Sequence, residues 1–330
     1  MAFVGKYFSE RRFIAYESEG LYPGWGISEP YNWFFRDPRI QLDREGIPTF
    51  QLRTARVYSP DTVAHFGLEA YNSWKIGGEI AERERFLHTS RWLVSHQHEE
   101  TGAWWYNYDL TYRQIGETLR KPWVSALAQG RAISNLVRAY RLTGDLEFLD
   151  SATGALRPFH KHVEEGGVFR PFALLGGDLP DCQLPFYEEY PTRSAPSYVL
   201  NGFVFSLLGL WDLSRVPNAE ARELFERGLE TLRAALPLYD AEKCSTYDLT
   251  HLTRTQPPRR PLRHRNYHLI HIILLHALAS VTGEHIFVRY RDRWNSHGSR
   301  LGRYGYYAVR GAAKWVLIGG WVWLRQGLRN

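Results

Sequence analysis

Apolar residues recur at helical spacing in four stretches of the chain. In "SALAQGRAISNLVRAYRLTGD", Ile133, Leu136, Val137 and Tyr140 follow the i, i+3, i+4, i+7 rule of an amphipathic helix. A second run, "LEFLDSATGAL", follows at once. The same order recurs in "TVAHFGLEAYNSWKIGG" with "ERERFLHTSRWL", in "YVLNGFVFSLLGLWDLSRVPN" with "AEARELFERGLETLRAAL", and in "YHLIHIILLHALASVTGE" with "HIFVRYRDRW". Tyr71, Tyr140 and Trp211 end equivalent first helices 69 and 71 residues apart, and Leu278 falls 67 further on. Self-similarity at a fixed period marks a repeat architecture. The pattern predicts a mainly α fold: an α/α toroid of at least four helical hairpins, the first helix of each inside and the second outside.

The punctuation between the runs agrees with that reading. Ser59-Pro60 opens the first hairpin, with Pro suited to the first helical turn. "TGD" at 143–145 and "TGE" at 282–284 supply a glycine to end one helix and an acid to open the next. Asn218 after Pro217 opens the second helix of the third pair. Residues 1–58 carry no long helical period and read as a β-rich or irregular segment packed on a toroid domain of residues 59–330. "WVLIGGWVWL", Trp315 to Leu324, is too short to span a bilayer and reads as packed core.

Each hairpin returns the chain to the end where it began, so the segments leading into the inner helices gather at one mouth. Those segments are "RTARVYSP", "TLRKPWVS", "FYEEYPTRSAPS" and "CSTYDLTHLTRTQPPRRPLRHRNYH". The mouth set is Tyr187, Glu188, Glu189, Tyr190, Tyr247 and Tyr267, the histidines His251, His264, His268 and His271, and the cations Lys121, Arg193, Arg254, Arg263 and Arg265. Tyr58, Trp123 and Asn201 join it as candidate substrate-binding positions. Glu188 and Glu189 are neighbours, and neighbours on an extended loop point opposite ways. One of the two is expected to face the site and the other to cap a helix or pair with an arginine. Phenols beside one carboxylate suit proton exchange at carbon. His268 and His271 stand three apart on one helix face, the spacing of a metal pair, but no third ligand follows at a telling distance; the expectation is no metal.

Composition then narrows the partner. Aromatic residues are 15% of the 330, with 12 Trp and 20 Tyr, and the formal net charge is +6. Flat rings with polar tips suit sugar binding, and the positive charge favours an anionic partner. No nucleic-acid motif accompanies that charge, so an anionic polysaccharide is expected and nucleic acid is not. Cys182 and Cys244 lie far apart and read as two free thiols. "MAFVGKYFSERRF" shows no signal-peptide core and no anchor is seen, so a cytoplasmic location without a transmembrane span is expected. A homodimer is left open.

The blocks "KPWVSALAQGRAISNLVRAY", "YEEYPTRSAPSYVLNGFVFSLLGLWDL", "LPLYD…STYDLTH" and "RNYHLIHIILL" resemble, in order and over roughly residues 45–296, the C-terminal half of the D-glucuronyl C5-epimerase family. That family converts glucuronate to iduronate within heparosan-type chains, and its fold is an α/α toroid preceded by β-structure. The resemblance implies four catalytic positions. The family's glutamate in "YEEYPT" matches Glu189 and the next tyrosine Tyr190, while its tyrosines in "YDL-H" and at the start of the last inner helix match Tyr247 and Tyr267. Glu189 and Tyr267 would then be the acid/base pair, with Tyr190 and Tyr247 assisting, and no cofactor would be needed. The residues alone leave open a polysaccharide lyase, which begins with the same proton abstraction, and a non-catalytic binder of anionic polysaccharide.

Overall fold

The computed structural model of the chain describes Phe8 and residues 13–23, 38–53, 55–174, 184–242, 244–254 and 260–297. Cys182 and the apolar stretch from Trp315 to Leu324 lie outside the described residues. A small antiparallel sheet comes first, with β1 (Ile40–Leu42) on β2 (Pro48–Gln51) and β2 on β3 (Arg56–Val57). Four helical hairpins follow. They are α1 (Pro60–Gly77) with α2 (Ile80–His96), α3 (Ala126–Thr143) with α4 (Leu146–Gly154), α6 (Leu200–Ser214) with α7 (Ala219–Ala235), and α9 (Arg265–Thr282) with α10 (His285–Ser296). Single helical turns, α5 (Arg157–His160) and α8 (Thr250–Thr253), lie in the connections. So do three two-stranded ribbons: β4 (Leu110–Tyr112) with β5 (Glu117–Leu119), β6 (Phe169–Pro171) with β7 (Pro185–Tyr187), and β8 (Asp240–Ala241) with β9 (Cys244–Ser245).

The inner helices α1, α3, α6 and α9 pack side by side in that order, and the outer helices cover them. This is the α/α toroid that the repeat predicts. Burial separates the two rings: α3 buries all of its first fourteen residues, whereas α7 buries one stripe and exposes its charges. The helix ends use the predicted residues. Ser59 and Pro60 open α1, the Asp145 carboxylate accepts from Glu147 N–H at 3.1 Å, and Asn218 Oδ1 accepts from Ala221 N–H at 2.8 Å. Gly144 and Gly283 end α3 and α9. α3 and α6 meet at glycines, because a Cβ on Gly130 would stand 2.4 Å from Ser206 Cα and one on Gly209 2.2 Å from Gly130 O. Neither position takes a larger residue without parting the helices.

Residues 13–23 form a strap across the C-terminal ends of the inner helices. Tyr16 N–H donates to Ser280 Oγ of α9 at 2.9 Å, and Tyr22 exchanges two hydrogen bonds with Asn72 of α1. The strap thereby ties the last inner helix to the first. Beneath it lies a fully buried ion pair: Arg138 donates to Asp212 Oδ2 at 2.7 Å, and the Tyr16 hydroxyl donates to the same oxygen at 2.6 Å. Arg138 also donates to the Glu17 carbonyl and packs against the rings of Tyr16, Tyr22 and Tyr71. Among the described residues no helix is long and apolar enough to cross a membrane.

Removing one partner of a buried pair leaves an uncompensated charge. Arg138→Met should therefore cost about 3–5 kcal/mol in urea unfolding, and Tyr16→Phe about 1 kcal/mol. Equal losses from the two would show that the strap, and not the ion pair, holds this end together.

Candidate functional site

The opposite end of the toroid gathers the N-termini of the inner helices, each the positive end of its helix dipole. The strand-to-helix segment from β7 to α6 supplies the two glutamates. Alternation along this extended stretch turns them apart. Glu188 accepts from Ser197 Oγ at 2.6 Å and from the backbone N–H groups of Ser197 and Tyr198 at 3.2 and 3.1 Å, and Arg170 lies 3.3 Å away. It is the partner-bound acid expected from the sequence. Burial pushes its carboxyl up to about 7 against the pull of Arg170 and these donors. The bend it holds puts Tyr198 in the left-handed region at φ 47°, where a bulky residue is strained. Tyr198 is fixed there by its hydroxyl on the Pro171 carbonyl at 2.9 Å and by the Tyr239 hydroxyl on its own carbonyl at 2.7 Å.

Glu189 faces the other way, into the mouth. It is 4% exposed, accepts from the Tyr247 hydroxyl at 3.3 Å through Oε1, and has no hydrogen-bond partner for Oε2 among the described residues. The third residue of α6 is Gly202, where a Cβ would stand 2.3 Å from Oε2. A side chain there would displace the carboxylate. Burial pushes Glu189 up to about 7, with the Tyr190 hydroxyl pulling the other way, Asp61 adding to the rise and Arg131 opposing it. The ring of Tyr267, in the first turn of α9, lies 4.2 Å from that of Tyr247. Burial raises the Tyr267 phenol to about 12, helped by the charge of Glu189, and raises Tyr190 and Tyr247 further still. Glu189, Tyr190, Tyr247 and Tyr267 are thus brought into one cluster, with three phenols neutral and one carboxyl poised near neutrality.

The other predicted positions fall into two groups. At the mouth, Asn201 is buried with Oδ1 unpartnered among the described residues, His264 packs on the Tyr267 ring at 5.2 Å, and Arg265 begins α9. His251 is lowered by burial, with Asp248 opposing. Arg254 ends α8 and approaches Gly116, and Arg263 is exposed. Trp123 stacks on Tyr106 at 4.0 Å. Arg193 lines a cavity of about 250 Å³ with Trp123, its backbone N–H on Glu117 at 2.8 Å.

Other positions do not reach the cluster. His268 is 1% exposed; its Nδ1 accepts from Ser245 N–H at 2.9 Å and its Nε2 faces the Trp294 carbonyl at 3.3 Å. Burial lowers it to about 4, so at neutral pH it is an uncharged ring held between Ser245 and Trp294. His271 shares Ser245 with it, and among the described residues no third donor stands near to complete a metal site. Tyr187 is fully buried with its hydroxyl on the Leu224 carbonyl at 2.9 Å, a core residue. Lys121 is exposed, with its backbone N–H on Asp109. Tyr58 is 42% exposed and bonds Asp43 at 2.7 Å, on the outer side of α1.

Sequence reasoning missed four residues beside the cluster. Asp61, in the first turn of α1, pairs at 2.6 Å with Arg131, whose guanidinium lies over Phe205. Tyr112 stacks on Tyr190 at 4.5 Å and donates a short hydrogen bond to buried Asp248. Arg131 carried a signal: an arginine inside the wholly buried run of an inner helix has to face either a partner or a site.

A family model described as D-glucuronyl C5-epimerase C-terminus matches residues 97–296. The chain is 35% identical over 222 residues to a D-glucuronyl C5-epimerase of Caenorhabditis elegans, a match covering 63% of this chain and 34% of that one. It is 30% identical over 230 residues to an uncharacterized protein of Methanocaldococcus jannaschii, covering 65% and 68%. This chain therefore spans about a third of the nematode relative's length. Among solved structures, a glycoside hydrolase family 76 mannosidase of Bacteroides thetaiotaomicron aligns with a TM-score of 0.45 at 12% identity, covering 76% of this chain and 62% of that one.

The raised carboxyl of Glu189 has a thermodynamic consequence. Its folded pKa of about 7 exceeds the ordinary 4.5, so the native state holds this proton more tightly than the unfolded chain. The stability this confers is present below pH 4.5 and is lost as pH rises through 7. Glu189→Gln should gain stability relative to wild type between those limits, by about 3 kcal/mol at most. A difference in unfolding free energy that stays flat from pH 5 to 8 would mean that Glu189 titrates as in water.

Proposed function

The chain belongs to the D-glucuronyl C5-epimerase family by its match to the C-terminal family model, and we propose that it is a uronyl C5-epimerase acting on D-glucuronyl residues of an anionic polysaccharide. The observation that carries this reading is Glu189: a nearly dry carboxylate with one oxygen free of partners among the described residues, ringed by neutral phenols. All four residues of the cluster lie within the matched segment.

C5 of a glucuronate bears a proton next to a carboxylate. Glu189 Oε2 removes that proton, and the electron pair left on C5 spreads into the carboxylate as an enolate-like dianion. The Tyr267 O–H returns a proton to C5 from the opposite face and inverts the centre. The phenolate left on Tyr267 and the proton gained by Glu189 are reset by exchange with solvent. Only the C5–H bond breaks and re-forms, so the ring oxygen and the 4-O substituent keep their bonds. A carboxyl near 7 suits the task, because at neutral pH about half of it is ionised and that form is more basic than an ordinary carboxylate. The dianion is the costly species. Four converging helix N-termini favour negative charge there, and the Tyr190 and Tyr247 hydroxyls can donate to the substrate carboxylate.

The test is epimerisation in D2O, with deuterium at C5 read by NMR on uronate polysaccharides. Wild type should place deuterium at C5 of both epimers. Glu189→Gln and Tyr267→Phe should each lower conversion by about 10²–10⁴-fold while retaining polymer affinity, and Tyr247→Phe should lose less. The rate on free enzyme should rise with pH through about 7 as Glu189 ionises. Absence of deuterium from every uronate polymer sinks the proposal. Absorbance of an unsaturated uronate would make the protein a lyase, and near-normal turnover by either variant would pass the role to Tyr190.

A further inference from the structure

A second concave site lies beside α1, away from Glu189. Its volume is about 450 Å³, within the roughly 300–1,000 Å³ of small-molecule sites. Five Trp and Tyr residues line it, Tyr58, Trp92, Trp104, Trp105 and Tyr108, together with His96 and Asn107. Trp92 and His96 stack at 4.0 Å and 13°, one turn apart on α2, and Tyr58 leans on Trp92 at 5.4 Å. These rings are only partly covered, and His96 and Asn107 are exposed. A packed core does not need such a shelf, since stacked rings left open to water gain nothing from burial.

The charge of the lining is specific. Among the described residues no Lys or Arg lines this cavity. The smaller cavity of about 250 Å³ shares Trp105 with it and carries Arg120, Arg193 and Glu117, with Arg120 paired to Asp109 at 2.6 Å. Two adjoining sites, one aromatic and one lined by charged groups, suit a polymer that carries both neutral and acidic sugars. The aromatic site is also linked to the cluster through the ring of Trp123. Tyr108 stands 6.4 Å from the Trp123 ring, and Trp123 stands 6.4 Å from Tyr190.

We propose that the cavity of Tyr58, Trp92, His96, Trp105, Asn107 and Tyr108 is an outlying saccharide subsite that takes an uncharged hexopyranose residue of the polymer whose uronate lies at Glu189. The claim rests on the polysaccharide reading above. The sugar's apolar face stacks on the rings, and its hydroxyls reach His96 and Asn107. Such a subsite adds affinity only for chains long enough to reach it, so it sets a length preference without touching the reacting carbon.

Binding is measured on the Glu189→Gln background, so that no turnover enters, with uronate–N-acetylhexosamine tetra- and octasaccharides by titration calorimetry. The octasaccharide should bind about tenfold tighter than the tetrasaccharide. Adding Trp92→Ala, or separately His96→Ala, should erase most of that length gain. Trp92 also packs on the core, so thermal unfolding is followed in parallel, and exposed His96 supplies the variant that leaves the core intact. A length gain that survives both substitutions, or no length gain at all, overturns the subsite. Absence of C5 exchange in wild type with the length gain present would overturn the epimerase reading alone.

Discussion

The buried pair of Arg138 and Asp212 is the constraint around which the toroid is assembled. Two unit charges at full burial are costly to strip of water, and only close geometry and extra hydrogen bonds repay that. Here the repayment comes from three directions. Asp212 on α6 supplies the counter-charge, Tyr16 adds a hydroxyl to the same oxygen, and Glu17 offers a carbonyl. The three aromatic faces around the guanidinium exclude water and add cation–π attraction. None of these partners is interchangeable, so the pair fixes the rotation of α3 against α6 and the path of the strap together. With that end fixed and the glycines of α3 and α6 in contact, the N-termini of the inner helices have little freedom left. The site is therefore built at the end of helices that are rigidly registered at the other end.

The mouth shows how one sequence feature can serve two purposes. Glu188 and Glu189 are adjacent, both almost completely buried and both raised by burial to about 7. What separates them is the company each keeps. Glu188 is spent on holding a bend: three donors from Ser197 and Tyr198, an arginine behind it, and a strained Tyr198 backbone in front. Glu189 keeps one oxygen with no partner among the described residues and stands under a glycine that leaves it room. The structural acid sets the loop from which the reactive acid projects.

Much of this was legible before any coordinates. The near-70-residue period named the hairpins because each must bury the same stripe, and the caps at Asp145 and Asn218 marked helix starts because orphan backbone donors need side-chain acceptors. The rule that each hairpin returns the chain to its starting end brought Glu189, Tyr247 and Tyr267 together on topology alone. Side-chain direction was less legible. His268 and Tyr267 are neighbours on α9, and only the helical turn decides that one ring enters the mouth while the other bonds the Trp294 carbonyl. Tyr187 belongs to the core for the same reason, one residue before the bend. Asp61 and Arg131 escaped notice because their pairing spans 70 residues, a separation that carries no local spacing to read. The strap escaped too, since its bonds to Ser280 and Asn72 come from a segment without periodicity.

That strap also bears on the order in which the molecule can be assembled. Each hairpin docks on the one before it through contacts between consecutive segments, the sort that close quickly. A ribosome delivers them in sequence, so most of the ring can grow as it is made. Tyr16 is different: it is made ahead of the hairpins, and its partners Asp212 and Ser280 come 196 and 264 residues later. Until they exist, the guanidinium of Arg138 has no complete shell, and the interior face between the first and last hairpins stands open. A segment made before all four hairpins thus completes its contacts only after the fourth, and the ring is latched by a stretch that has to wait for its partners.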